Sequence, residues 1–488
     1  MKHKSVVEQI RERDQTHGNA KGNGQAGAGE VGFNGRPRPP DPPDPGPPAQ
    51  MIGEEPEELS NAQSKATTYP WPDPPATEAY HGLAGEIVRA LEPQSESDPV
   101  ALLIQTLVAF GNVIGRSAHF RVEGDQHFLN LFAVLVGETS KARKGTSWGR
   151  IRGLLEQADS EWASKRILGG LSSGEGLIWN VRDPVMAREK IKEKGRITGF
   201  QEYESDPGET DKRILIQEPE FASVLKQNER QGNTLSAILR QAWERGDLRT
   251  LVSGRHQPPV KATKAHVSLV GHITADELRC YLSTTEAASV FGNRFLWLCV
   301  RRSKCLPEGG QLVDLEPFVS RLSEAITFAR AAGELSRDDQ ARELWRKVYP
   351  SLSEGKPGLA GALIARGEAQ TMRLACLYAL LDKSAVIKTQ HLMAALALWE
   401  YCENSVRFIF GDSLGDEVAD QILAALRHRR EGMTRTEIRD LFDRNLPAGR
   451  IAKALGMLER YGLAGWRTVQ TGGRPAEKWL AGITTETT

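Results

Sequence analysis

The sequence predicts an α/β domain with a mostly parallel sheet, then a helical region, then a small module of three helices and a hairpin. Three observations carry that expectation. Short apolar runs alternate with helical periodicities between residues 118 and 312. From about residue 315 to 410 the apolar spacing is helical throughout, as in ALIARGEAQTMRLACLYALLD. After GDSLGDE, short amphipathic segments end in two strand-like runs around Thr471-Gly472-Gly473-Arg474.

In chain order, residues 1–68 are expected to be a disordered Pro/Gly-rich tail. The run RPRPPDPPDPGPP, from Arg36 to Pro48, has too little apolar area to offset ordering entropy, and it serves as a tether or a polyproline ligand. Residues 69–117 read as an N-terminal helical region, with apolar residues at helical spacing in GLAGEIVRALEP and PVALLIQTLVAFGNVI. Residues 118–312 form the expected core. Its strands are HFRVE (119–123), LFAVLVG (131–137), RILIQ (213–217), HVSLVG (266–271) and FLWLCVRR (295–302). Residues 313–412 are expected to be an all-α lid, and 413–488 the small module.

Composition narrows the function classes. Basic and acidic residues balance, 63 against 63, so whole-chain charge points to no partner. No long uncharged apolar run occurs, and the N-terminus MKHKSVVEQIRERDQ is charged where a signal peptide is apolar, so a cytoplasmic protein without a membrane partner is expected. Five cysteines without CxxC spacing indicate neither a zinc site nor a disulfide framework.

After LFAVLVG the chain reads Gly137-Glu-Thr-Ser-Lys141-Ala-Arg143-Lys144-Gly145-Thr146-Ser147 and opens into the helix WGRIRGLLEQ. Strand, Gly/Lys loop and hydroxyl at a helix start are what nucleotide phosphates need: backbone N–H groups hold the anion, lysine neutralises charge, and a hydroxyl reaches Mg²⁺. ATP and Mg²⁺ are therefore the expected cofactors, with Gly137, Lys141, Arg143, Lys144, Gly145, Thr146 and Ser147 as their binding residues. The loop departs from GxxxxGK[ST], because Lys144 lies one position later and Gly145 separates it from Thr146. A basic solvent loop is the alternative.

RILIQ ends in Glu218-Pro219-Glu220, carboxylates that can orient hydrated Mg²⁺ and polarise water, Glu218 being the metal candidate; two solvated carboxylates in a turn are the alternative. HVSLVG ends in His272-Ile-Thr274, where His272 is either a contact to the reacting phosphate or a structural histidine. Arg294 opens the strand FLWLCV, and in ring-shaped ATPases such an arginine reaches the neighbouring subunit's γ-phosphate; a surface arginine is the alternative.

Residues 80–411 resemble a bacterial helicase-like family of unknown function found beside primases and in phage, plasmid and mobile-element replication proteins. GETSKARKGTS, EPEFASVL, QAWERGDLRTLVSGR and GNRFLWLCV carry the likeness. A more distant resemblance is to AAA+ replicative helicases of the minichromosome-maintenance type, through NRFLWLCV and the spacing of Arg366 and Arg373-Leu374. The resemblance implies a P-loop NTPase core, AAA+-like with RecA-like as second choice, and a hexamer-like ring. It also implies Arg294 as a finger in trans, Arg366 as a lid arginine on nucleotide, and a primase or other replication protein as partner. In the resembling helicases a hairpin at 246–269 touches DNA, which makes Arg255, Lys261 and Lys264 candidates, or else an exposed basic turn.

Residues 421–480 hold twelve Lys/Arg against six Asp/Glu. Thr434-Arg-Thr-Glu437 is a capping box flanked by Met433 and Ile438. Three helices and a hairpin make a winged helix, with Arg435, Arg450, Lys453, Arg460, Arg467 and Arg474 as DNA candidates or a protein-binding face as the alternative. Together these features predict an ATP-driven motor on DNA, a replicative helicase or initiator of a mobile element. A non-unwinding nucleotide switch on DNA and a DNA-binding scaffold without hydrolysis are the alternatives.

Overall fold

The computed structural model describes residues 69–482, apart from 139–141, 194–195, 229, 231, 251–259, 283–290, 357, 412 and 471–474. The predicted tail and the candidates Lys141, Arg255 and Arg474 lie outside the described residues.

The N-terminal helices form where the apolar spacing places them. In helix α1 (Pro99–Ile114) proline occupies the first turn and the Asp98 carboxylate accepts the Val100 N–H at 3.0 Å, so the helix starts cleanly. Every residue from Val100 to Ile114 is buried, because α1 lies on one face of the central sheet. Gly111 permits the approach, since a Cβ there would sit 2.4 Å from the Leu129 carbonyl oxygen. Asn112 Nδ2 fastens α1 to two strands, donating to the carbonyls of Ile214 at 2.8 Å and His266 at 3.0 Å.

The central sheet has five parallel strands: β1 (Phe132–Gly137), β2 (Ile167–Leu168), β3 (Arg213–Glu218), β4 (His266–Thr274) and β5 (Phe295–Cys299). Their spatial order is β5-β1-β4-β3-β2. β1 and β5 are buried at every residue, as strands covered on both faces must be. From β1 the chain runs to the far edge, returns through β3 and β4, then crosses to β5 on the other side of β1. That reversal opens a crevice at the carboxyl ends of β1 and β4, where open α/β sheets hold ligands. Helix α2 (Lys144–Ala158) starts there. At the opposite, amino edge lie the end of helix α3 (Leu235–Glu244) and a single turn, Gly292–Arg294, leading into β5.

Helices α4 (Glu316–Ala331), α5 (Gly367–Leu381) and α6 (Thr389–Phe410) follow. α6 lies along β5, with the Tyr401 hydroxyl donating to the Cys299 carbonyl at 2.6 Å and Ser405 Oγ accepting the Cys299 N–H at 3.0 Å. This stretch, expected to be helical throughout, also contains short strands at Glu334–Arg337 and Val386–Ile387. They join His119–Val122 and Asp125–Phe128 in a separate four-stranded sheet, so HFRVE is not a strand of the parallel sheet. The Glu123-Gly124 turn explains why, because it folds the strand back on its own neighbour. A long hairpin, Val185–Glu193 with Arg196–Asp206, has no apolar alternation and was not legible as strands.

The chain ends in helices α7 (Glu417–His428), α8 (Arg435–Asp440) and α9 (Ala448–Arg460) with an antiparallel sheet ordered 433–434, 476–481, 464–469. The Thr434/Glu437 capping box forms in both directions, and Met433 and Ile438 are fully buried. Ile422, Leu426, Ile451, Leu455, Leu458 and Trp479 complete the core. Among the described residues no helix is long and apolar enough to cross a membrane.

Candidate functional site

At the carboxyl edge the loop after β1 leads into α2 through Arg143, whose backbone is left-handed at φ 56°. The Arg143 side chain turns to Glu96, with Nε 2.7 Å from the carboxylate. Lys144 crosses the crevice and donates from Nζ to the Ile273 carbonyl at 2.9 Å, joining the start of α2 to the end of β4. Burial holds the Lys144 ammonium below its usual range, and the nearby Glu277 carboxylate opposes that shift. Gly145 and Thr146 are exposed on the first turn. A helix of this length presents free N–H groups and the positive end of its dipole at that point.

Two expected phosphate contacts are placed elsewhere. Ser147 is fully buried, donating from Oγ to the Lys144 carbonyl at 2.6 Å and accepting from Gln105 Nε2 at 3.1 Å. It lies on the inward stripe of α2 with Trp148, Ile151 and Leu154, whereas Thr146 faces out. His272 is buried behind the same turn, its Nε2 3.5 Å from Gln105 Nε2. Burial, with the Lys144 charge adding to it, pushes its pKa down to about 4, so it is a neutral structural histidine. Gln105 thus braces the start of α2 against β4.

Glu218 ends β3 buried, with Oε1 accepting the Leu171 N–H at 2.6 Å. Glu220 is exposed beyond Pro219, and its carbonyl accepts from Ser223 at the start of the helix Phe221–Asn228. The two carboxylates therefore diverge. The acid whose charge bears on Lys144 is Glu277, which sequence reasoning missed. Its signal was present, since Thr274-Ala-Asp-Glu277 is a capping box and forms as one at the end of β4.

Arg294 and Arg366 come together at the other edge of the sheet. Phe295 pairs with Phe132, level with the first residue of β1. Arg294 is 7% exposed, with Nη2 2.6 Å from Glu244 Oε1 and Nη1 3.0 Å from Asn293 Oδ1. Burial lowers its pKa, and the Glu244 hydrogen bond works against that. Arg366 places Nη2 3.3 Å from the same Glu244 oxygen and lies over the Trp243 ring at 5.0 Å. Beneath them Arg373, 1% exposed, donates to the carbonyls of Asn130 at 2.6 Å and Trp243 at 2.8 Å and stacks on the same indole at 3.8 Å. Burial, with Arg366 adding to it, pulls its pKa down to about 9. β1 is six residues long, so the two edges are about 20 Å apart at 3.3 Å per residue. Arg366 therefore does not reach the loop of its own chain.

No family model matches the chain, and no curated protein is significantly similar to it. The likeness to helicase-like replication proteins accordingly rests on the motifs alone.

Elsewhere, Leu248–Arg249 and Lys261–Ala262 pair as the two ends of a hairpin, with Lys261 and Lys264 exposed. In the C-terminal module Lys453, Arg460 and Arg467 are exposed. Arg435 pairs with Glu477. Arg450 is tied to Asp416, its Nη2 2.9 Å from both carboxylate oxygens, and so serves the fold. His81, Asp382 and His391 have the spacing of metal ligands. Yet His391 Nδ1 accepts the Lys388 N–H at 3.0 Å, which leaves the proton on Nε2 to donate to Asp382 at 3.1 Å. That tautomer has no lone pair for a metal at Nε2, and the trio is a hydrogen-bonded clamp.

Proposed function

We propose that the chain is a P-loop-type ATPase, AAA+-like in arrangement with RecA-like as second choice, that works on DNA as a ring and carries a C-terminal winged helix. The observation that carries the reading is the carboxyl-edge crevice. There an exposed helix start, Lys144 and the Thr146 hydroxyl converge at the point where the strand order reverses. In this reading ATP phosphates take the Lys144 ammonium from the Ile273 carbonyl and bind the N–H groups of the first turn. Mg²⁺ fits the donor set, because that ion keeps several waters and needs one hydroxyl besides phosphate oxygens, which Thr146 offers; bound there, it would neutralise developing phosphate charge.

The arginines at the amino edge supply what the crevice lacks. They are too distant to act in their own chain, and a ring brings the amino edge of one subunit to the crevice of the next. DNA is the substrate proposed, on the exposed cations Lys453, Arg460 and Arg467 of the module and on Lys261 and Lys264 of the short hairpin. The hairpin 185–206 adds exposed Lys190, Lys192 and Phe200, suited to a backbone and its bases. A replicative helicase or replication initiator is the activity this favours, with a primase or another replication protein as partner.

A nucleotide-dependent switch is the second reading, favoured by Glu218, whose carboxylate is held by the Leu171 N–H rather than left open to a water. Strand displacement with ATP separates the two. The test of the whole is DNA-stimulated ATP hydrolysis by the full chain. Lys144→Ala is expected to lower the rate by about 100-fold or more. A rate equal to wild type in both Lys144→Ala and Arg366→Ala would sink the reading.

A further inference from the structure

The amino-edge arginines differ in access, and that difference assigns them different work. Arg294 is 7% exposed and its guanidinium is engaged on two sides, by Glu244 and by Asn293. The Arg366 side chain is 32% exposed, with its guanidinium carbon over the Trp243 ring at 5.0 Å. One carboxylate oxygen joins them, 2.6 Å from Arg294 and 3.3 Å from Arg366. Glu244 ends α3 directly after Trp243, so the acid and the indole that hold Arg366 are carried by consecutive residues. Arg373 stacks on the same indole and fixes its backbone carbonyl, which leaves the platform little freedom.

We infer that Arg366 is the guanidinium this face offers to a nucleotide's phosphates on a neighbouring subunit, and that Arg294 and Glu244 are positioning residues that act through it. The inference rests on the ring-ATPase reading above and divides the labour within it. A planar cation held by a carboxylate on one side and an aromatic face beneath it keeps N–H donors of its fork directed outward. Its orientation is set before the anion arrives, which is what transition-state stabilisation requires. Arg294 fixes the Glu244 carboxylate, and that carboxylate fixes Arg366.

The experiment is a double-mutant cycle on ATP hydrolysis by the full chain with DNA, each variant first checked for an unfolding midpoint near wild type. Arg366→Ala is expected to reduce kcat by about 100-fold, and Arg294→Lys and Glu244→Gln by about tenfold, with KM for ATP within about twofold. If Arg294 acts through Arg366, Arg294→Lys/Arg366→Ala is no slower than Arg366→Ala alone. Fold-losses that multiply would overturn the inference, since Arg294 would then touch phosphate itself. Mixing Lys144→Ala with Arg366→Ala chains tests placement: activity above the sum of the two alone supports action across a subunit boundary, and none above it overturns that. A wild-type chain that hydrolyses no ATP would instead remove the ATPase reading, and this inference with it.

Discussion

The two edges of one sheet treat their cations in opposite ways. At the carboxyl edge Lys144 rests on a backbone carbonyl, beside a neutral histidine and an exposed helix start. At the amino edge Arg294, Arg366 and Arg373 are packed with one carboxylate, one indole and the Asn130 carbonyl. A cation on a carbonyl gives up a neutral partner when an anion arrives, and the exchange is favourable. Cations gathered on a carboxylate and a ring are already placed. In the proposed ring the first edge receives the nucleotide and the second is presented to a neighbour, with about 20 Å of sheet between them in one chain.

The largest effect that follows is on stability. Arg373→Ala leaves the carbonyls of Asn130 and Trp243 without donors and opens a void under the indole. It is expected to cost about 3–4 kcal/mol in urea unfolding. Lys144→Ala removes a half-buried side chain from an open crevice and is expected to cost less than about 1 kcal/mol. Equal losses would break the comparison, since the carboxyl edge would then be as structural as the amino edge.

Much of this was legible in the sequence, and the reasons it stopped are local. Four of the five parallel strands follow from their apolar runs, whereas Ile167–Leu168 is too short to give one; the Thr434 capping box follows from its Thr-x-x-Glu spacing, and the same spacing at Thr274 went unread. HFRVE was expected among the core strands and lies in the other sheet, because a four-residue strand takes its partner from the turn that follows it. The hairpin 185–206 alternates charges without an apolar face, so no period-2 signal exists. Ser147 and Thr146 are equivalent by chemistry and adjacent in sequence, and only the phase of α2 separates the buried hydroxyl from the exposed one. Arg294 and Arg366 were both named from spacing, yet their meeting on Glu244 depends on three distant segments and has no sequence signature.

The next effect compares the two ends of β4. His266 lies at its amino end, fully buried with Nε2 2.8 Å from the Gly111 carbonyl, and His272 near its carboxyl end. Burial pushes the first down to about 3, helped by the Arg116, Arg373 and Arg213 charges, and the second down to about 4. With both folded-state values below the unfolded value near 6.5, the unfolded chain takes up protons first as pH falls. Stability is thus full above pH ~6.5 and lost on going down towards pH 4, by about 1.4 kcal/mol per pH unit per histidine. Unfolding midpoints between pH 7 and 5 measure the slope. His272→Gln should remove its own share, about 1.4 kcal/mol per pH unit, with His266 and the likewise lowered His127 supplying the rest, and an unchanged slope would mean that His272 is not held neutral.

The smallest effect carries the same contrast into the C-terminal module. Arg450, paired with Asp416, resembles the amino edge, and exposed Lys453 on the same helix resembles the receiving one. Asp416 also accepts the Ala419 N–H at 3.0 Å at the start of α7, so Arg450 ties α9 to that helix end. Burial acts most strongly and would raise the Asp416 pKa, but the hydrogen bonds from Arg450 and the Ala419 N–H, with the charges of Arg450 and Lys453, together outweigh it and leave the value lowered. Arg450→Ala is expected to cost about 1 kcal/mol, a modest figure because the arginine is one-third exposed, and to leave the salt dependence of the proposed DNA binding as it was. Lys453→Ala should do the reverse, changing stability by less than about 0.5 kcal/mol while reducing the slope of log K against log salt by about 1. Titrations of both variants at several salt concentrations decide it. A slope lost with Arg450 and kept without Lys453 would show that partner geometry does not sort structural cations from those proposed to face DNA in this module.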